Sequence, residues 1–120
     1  MLLQMCKCKI HMATVTETVL NYEGSIGIDR NLLAAADLLP FEKVQVLNVN
    51  SGNRLETYVI EAPAGSGAIS LNGAAARGTE VGDKVIIIAY CLVGNEEARK
   101  IEPKLVFVDG DNRIKNMEEG

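Results

Sequence analysis

Gln4-Met5-Cys6-Lys7-Cys8-Lys9-Ile10-His11-Met12 decides the fold class. Lys7, Lys9 and His11 alternate with Cys6, Cys8, Ile10 and Met12, and a period of two is the signature of a strand. Ala13 and Val15 then fall on the Lys face, so the phase slips and a bulge or strand end is expected near Met12. Outward from this segment, Thr16 is read as the cap of a short turn through Leu20. Tyr22 to Ile28 is read as a turn into a second strand. Asp29 is placed to N-cap a short helix over Arg30 to Asp37, which Pro40 stops. Lys43–Asn50 and Arg54–Glu61 read as strands joined by the hairpin turn Asn50-Ser51-Gly52-Asn53. A short strand is expected at Ala68–Leu71, in a stretch punctuated by glycines 65, 67, 73, 78 and 82. Lys84–Leu92 is an apolar strand, expected to be central. Gly94–Lys100 reads as a polar loop, Leu105–Val108 as the last strand, and Asp111–Gly120 as a charged, frayed end. Many short strands with one or two short helices point to an all-β, closed barrel.

Composition bounds the function. The 120 residues make one domain, and its 48% apolar content supports a real core but leaves little room for a deep pocket inside one subunit. A net charge of −4 argues against nucleic acid as a general partner. Met1–Met5 lacks the charged leader and long apolar region of a secretory signal, and Val85–Cys91 is too short to span a bilayer. The expected setting is therefore cytoplasmic, with no membrane partner. Three cysteines fit a reducing compartment better than a disulfide framework.

Four segments carry chemistry. The first is Asn21-Tyr22-Glu23-Gly24-Ser25, because a Gly-Ser bond, when correctly flanked and held under strain, can cut itself, although the dipeptide alone proves nothing. Two Gly-Ser pairs occur, at Gly24-Ser25 and Gly65-Ser66, and only the first lies downstream of Lys9-Ile10-His11. Lys9 and His11, joined by Arg54, form either a solvated face or a positive patch for a small dianion. Arg54 offers a planar fork for a carboxylate. Arg54 and Tyr58, four apart on a strand, share a face, with Thr57 on the other. Tyr58 is either a packed aromatic or a proton donor. Asn72-Gly73-Ala74-Ala75-Ala76 has little side chain over its backbone, so its amides make either an anion seat or a tight turn. Cys6, Cys8 and His11 do not supply tetrahedral zinc ligation, the cysteines being expected as buried apolar groups, and no metal is expected.

Taken in order, Lys9-Ile10-His11, Ala13-Thr14-Val15-Thr16, Tyr22-Glu23-Gly24-Ser25, Ile28-Asp29, Leu33-Ala34-Ala35-Ala36-Asp37, Arg54 with Thr57-Tyr58, Gly65-Ser66-Gly67, Asn72-Gly73-Ala74-Ala75-Ala76 and Gly82-Asp83 resemble the pyruvoyl-dependent aspartate decarboxylases over nearly the whole chain. The resemblance implies a double-psi β-barrel and a homotetramer with sites at subunit interfaces. It implies self-cleavage at Gly24-Ser25 into a β-chain (residues 1–24) and an α-chain (residues 25–120). Ser25 would become a covalent pyruvoyl cofactor that takes up L-aspartate as a Schiff base and releases β-alanine and carbon dioxide for pantothenate and coenzyme A synthesis. One departure is Met12, where family members often carry Arg.

By resemblance, Ser25 and Tyr58 are catalytic, and Gly24, Ser25 and Thr57 serve the cut. Lys9, His11, Arg54, Thr57, Gly73, Ala74 and Ala75 contact substrate. Tyr22 and Asn72 support the site. Some lineages also imply a helper protein for maturation. The alternative reading of the residues is a small β-barrel binding module without chemistry, in which Gly24-Ser25 is merely a turn.

Overall fold

A computed structural model describes residues 1–119. In chain order the elements are β1 (Leu2–Thr14), β2 (Glu17–Val19), β3 (Ser25–Asp29), α1 (Arg30–Ala36), β4 (Lys43–Asn48), β5 (Arg54–Ala62), β6 (Ile69–Asn72), a 3-10 turn (Gly73–Ala76), β7 (Lys84–Gly94), α2 (Asn95–Ala98), β8 (Lys104–Val108) and β9 (Ile114–Glu119). The strands form one mixed sheet in the order β2-β6-β3-β5-β4-β7-β1-β8-β9. Three neighbouring pairs are parallel: β1 with β8, β2 with β6, and β3 with β5. Parallel neighbours need crossover connections rather than hairpins, so the chain passes repeatedly across its own barrel-like wall. This is the all-β architecture with short helices that the alternation predicts.

Alternation decides the interior. Ile26 and Ile28 on β3, Val59 on β5, Ile69 and Leu71 on β6, and Val85, Ile87 and Ala89 on β7 are all buried with Ile10 of β1 in one core. The intervening residues of β3 and β6, Ser25, Gly27, Ser70 and Asn72, therefore share the opposite face, and it is this face that carries the site.

β1 breaks phase where the sequence predicts and once more where it does not. Its register against β7 shifts between Ile10 and Ala13, where Met12 takes a left-handed φ of 61°. A second shift lies between Cys6 and Cys8, with Lys7 as the extra residue. Cys6 consequently pairs with the exposed Tyr90 and Cys8 with the buried Ala89, so the two cysteines do not share a face as expected. Cys8 is core, and burial pushes its thiol up to about 11. Cys6 and Cys91 are half-buried.

Other expectations are met or corrected by pairing. Asp29 caps α1, its carboxylate accepting the Asn31 amide at 2.8 Å. The helix ends at Ala36 because Asp37 turns left-handed, three residues before Pro40. The 50–53 hairpin is present, with Gly52 at φ 80°. The region after Thr16 is not a capped turn. Glu17–Val19 lies parallel to β6, and the Thr16 hydroxyl bonds the backbone of Ile69. The polar loop after Gly94 contains α2, and the expected frayed end is β9, held antiparallel to β8. Gly120 lies outside the described residues. No helix among the described residues is long and apolar enough to cross a membrane.

Candidate active site

The chain passes from the exposed segment Asn21–Gly24 straight into β3, whose five residues are all buried. Ser25 is the first of them, 1% exposed. Its hydroxyl donates to the Glu23 carbonyl at 3.3 Å and accepts from Asn72 Nδ2 at 3.0 Å. Asn72 lies directly opposite Ser25 in the β3–β6 pairing, which is why the two side chains meet. The other end of the Asn72 amide accepts the Ser70 hydroxyl at 2.8 Å. Sequence reasoning does not pick out Ser70. The available signal was its position two residues before Asn72, on the same face of a strand.

Gly73 is pressed onto the backbone that precedes Ser25. At φ 67°, a Cβ there would stand 2.6 Å from the Tyr22 carbonyl oxygen, 2.8 Å from Gly24 N and 2.9 Å from Gly24 Cα. Only a residue without a side chain permits this approach. Gly24 has no atom within 4 Å of an added Cβ, so the side a side chain would occupy is open, while Gly73 closes on its backbone from another side. Gly73, Ala74 and Ala75 open the 3-10 turn that follows Asn72, and the first amides of such a turn have no partner within it. A cavity of about 370 Å³ adjoins this cluster, lined in part by Tyr22, Gly27, Ile60, Ser70 and Asn72.

Thr57 and Tyr58 sit two and one residues before Val59, which pairs with Ile26. The start of β3 therefore lies beside them in the neighbouring strand. Tyr58 is opposite Lys43 and Thr57 opposite the buried Val44, so the two point to opposite faces as alternation requires. Tyr58 packs against Phe41, with ring centroids 6.2 Å apart.

Arg54, Lys9 and His11 are elsewhere in the chain. Arg54 is exposed at the far end of β5 and lines a separate cleft of about 460 Å³ with Gln4, Lys43, Gln45, Glu56 and Tyr90. Lys9 and His11 are on β1, which β5, β4 and β7 separate from β3 in the sheet. His11 meets Phe107 edge-on at 5.4 Å. Lys7 is occupied by Glu42 at 3.0 Å. Among the described residues no cluster of three metal-ligating side chains occurs. One chain thus brings together Ser25, Asn72, Gly73 and the Tyr22–Gly24 segment, with Thr57 and Tyr58 alongside. It does not join Lys9, His11 or Arg54 to them.

Known proteins match the chain over nearly its whole length. Residues 1–115 match the family model for aspartate decarboxylase. A protein of Carboxydothermus hydrogenoformans named aspartate 1-decarboxylase is 61% identical over 119 residues, covering 99% of this chain and 94% of the relative. Proteins of the same name from Dehalococcoides mccartyi and Caldicellulosiruptor saccharolyticus are 59% and 60% identical, covering 97% and 95% of this chain and 94% and 89% of theirs. The chain belongs to the aspartate decarboxylase family.

Proposed function

We propose that this chain cuts itself between Gly24 and Ser25, converts Ser25 into a pyruvoyl group, and then decarboxylates L-aspartate to β-alanine, a precursor for pantothenate. The observation that carries the reading is the buried Ser25 hydroxyl held between Asn72 and the Glu23 carbonyl, next to a Gly24 whose side-chain position is open. A serine in an ordinary turn needs neither burial nor a dedicated amide partner.

The cut uses this chain's own groups. Ser25 Oγ attacks the Gly24 carbonyl carbon; the C–N bond breaks as the C–O bond of an ester forms, and the Ser25 amine is freed. The oxyanion formed on the way needs a donor, and the Thr57 hydroxyl is assigned that role. One such donor contributes roughly 3 kcal/mol to lowering a barrier. Loss of the Ser25 α-proton expels the Gly24 carboxylate and leaves dehydroalanine, which takes up water and releases ammonia. The products are residues 1–24 and a chain from 25 onward that begins with the ketone. The site fits such a group: it is small, buried, lined by one amide, and closed over by a glycine where a side chain would intrude.

The pyruvoyl carbonyl supplies the electron sink for the pair left when carbon dioxide departs from the substrate α-carbon. The protein's part is to bind and to move a proton. Arg54 and Lys9 take the substrate carboxylates, with His11 beside them. The Gly73, Ala74 and Ala75 amides add donors, Tyr22 holds the end of the cut segment, and the Tyr58 phenol delivers a proton to the substrate α-carbon. Lys9, His11 and Arg54 lie away from Ser25 within one chain, so a second copy brings them to it. This supports a site shared between copies, as in the homotetramer that the resemblance implies.

Intact mass spectrometry tests the proposal. The expected result is two fragments, the larger lighter by one ammonia than a chain beginning with serine, together with β-alanine formed from aspartate. Ser25→Ala should stay whole and inactive. A chain that stays whole on long incubation, with or without extract of its host to supply a helper, and makes no β-alanine refutes the proposal.

A further inference from the structure

We infer that Ser70 is a positioning residue for the self-cutting step, acting through Asn72; the inference rests on the function proposed above. A primary amide has two ends of nearly the same shape, one accepting and one donating, and its neighbours decide which way it turns. Asn72 lies between two hydroxyls, Ser70 Oγ at 2.8 Å from Oδ1 and Ser25 Oγ at 3.0 Å from Nδ2. Ser70 makes no other side-chain hydrogen bond among the described residues. Its single proton is therefore committed to Asn72 Oδ1, which directs Nδ2 at Ser25.

The consequence is counted on Ser25 Oγ, which has one proton and two lone pairs. The proton goes to the Glu23 carbonyl, one lone pair accepts from Asn72, and the second is left free. Without the Ser70 hydroxyl, the acceptor end of Asn72 loses its partner and can turn toward Ser25, where it competes with Glu23 for the proton. The nucleophile is then no longer held in one orientation. Gly27 shapes the same spot: it pairs with Ser70, and a Cβ on it would touch Ser70 Cβ at 3.4 Å. The missing side chain leaves space beside Ser70, so a slightly larger residue there can be accommodated.

The test compares Ser70→Thr with Ser70→Val, which have the same shape and differ in the hydroxyl, with Ser70→Ala as the minimal change. Cutting is followed by intact mass from the moment of synthesis, and folding by thermal melting. Ala and Val are expected to slow the cut by about tenfold or more, a partial loss of what a direct donor contributes, while Thr stays close to wild type. On an Asn72→Ala background Ser70→Ala should add nothing, because the two act as one unit. Equal slowing by Thr and Val, or wild-type rates in Ala and Val, overturns the inference. A second readout is the Asn72 side-chain amide proton–nitrogen signal of the uncut chain, assigned by its loss in Asn72→Ala. It should move in Ser70→Val and not in Ser70→Thr; an unmoved signal overturns the inference. If the wild-type chain never cuts, the proposed function falls while the amide signal still decides the role of Ser70.

Discussion

Gly73→Ala is the sharpest test of the site's geometry. The new Cβ would stand 2.6 Å from the Tyr22 oxygen, about 0.8 Å inside ordinary contact, with two atoms of Gly24 also under 3 Å. All three are backbone atoms, so no side chain can swing aside. Alanine at φ 67° adds a left-handed cost of roughly 1–2 kcal/mol, and overpacking adds roughly 1–3 kcal/mol. The β3–β6 pairing holds Asn72, so the exposed Tyr22–Gly24 segment gives way instead. That moves the Gly24 carbonyl away from Ser25 Oγ by a large part of an ångström. A misplacement of about 1 Å costs on the order of 10²-fold in rate. The expected outcome is a folded chain, destabilised by about 2–5 kcal/mol in urea titration, that cuts about 10²-fold more slowly by intact mass. Gly94→Ala is the control, since its Cβ would meet nothing within 4 Å and its φ is negative. A Gly73→Ala chain that cuts at the wild-type rate refutes the geometric argument.

Three further outcomes are expected. Tyr58→Phe should cut normally yet lose about 10²-fold or more in β-alanine formation; normal turnover removes the phenol from the mechanism, and failure to cut gives it a part in maturation. Asp29 accepts the amides of Asn31, Gly65 and Gly67 at 2.8–3.0 Å, so Asp29→Asn should cost about 2–4 kcal/mol by chemical denaturation. Burial raises the Asp29 pKa, but those three amides and Arg113 outweigh it and hold the carboxyl below its ordinary value of 3.8. Its stabilisation is therefore complete above pH about 4 and is lost as pH falls through the lower folded value, so acid unfolding curves should be shallower for Asp29→Asn. Asn112, 2% exposed, bonds Thr14 N, Thr14 O and Gly67 O at 2.7–2.8 Å. Asn112→Ala should lower stability by roughly 2–4 kcal/mol without touching the Ser25 cluster, and an unchanged melting curve would show those bonds to be replaceable by water.

Much of this was legible because it is local. The alternation of β1, the slip at Met12, the Asp29 cap and the 50–53 hairpin each depend on a few neighbouring residues whose chemistry admits one outcome. The misreadings depend on distant partners. Glu17–Val19 has the length of a turn and becomes a strand only because β6 runs beside it. The charged Ile114–Glu119 looks frayed until β8 supplies its hydrogen bonds. The bulge at Lys7 leaves no mark in the pattern, since it exists only in the register against β7. In the site, Gly73 and Asn72 stood out by composition. Ser70 did not, because its importance comes from the amide it touches.

The two stages of the proposed chemistry differ in what they ask of the assembly. The hydroxyl, its amide partner, the bond to be cut and the glycine that seats it all belong to one chain, and all but the Gly24 side of the bond are buried. The exposed Arg54 and the β1 residue Lys9 have no ion-pair partner among the described residues, and in the proposed function they serve, with His11, the site of another copy. Leaving a cation unpaired forgoes little at a surface, where an exposed pair contributes at most about 1 kcal/mol. A cation that meets a substrate carboxylate inside an interface is worth more, because neighbouring protein excludes water and lowers the local dielectric. In the proposed function this distribution makes cutting a property of the folded chain and turnover a property of an assembled one. Weakening the contact between copies should then suppress β-alanine formation while the mass spectrum still records the cut.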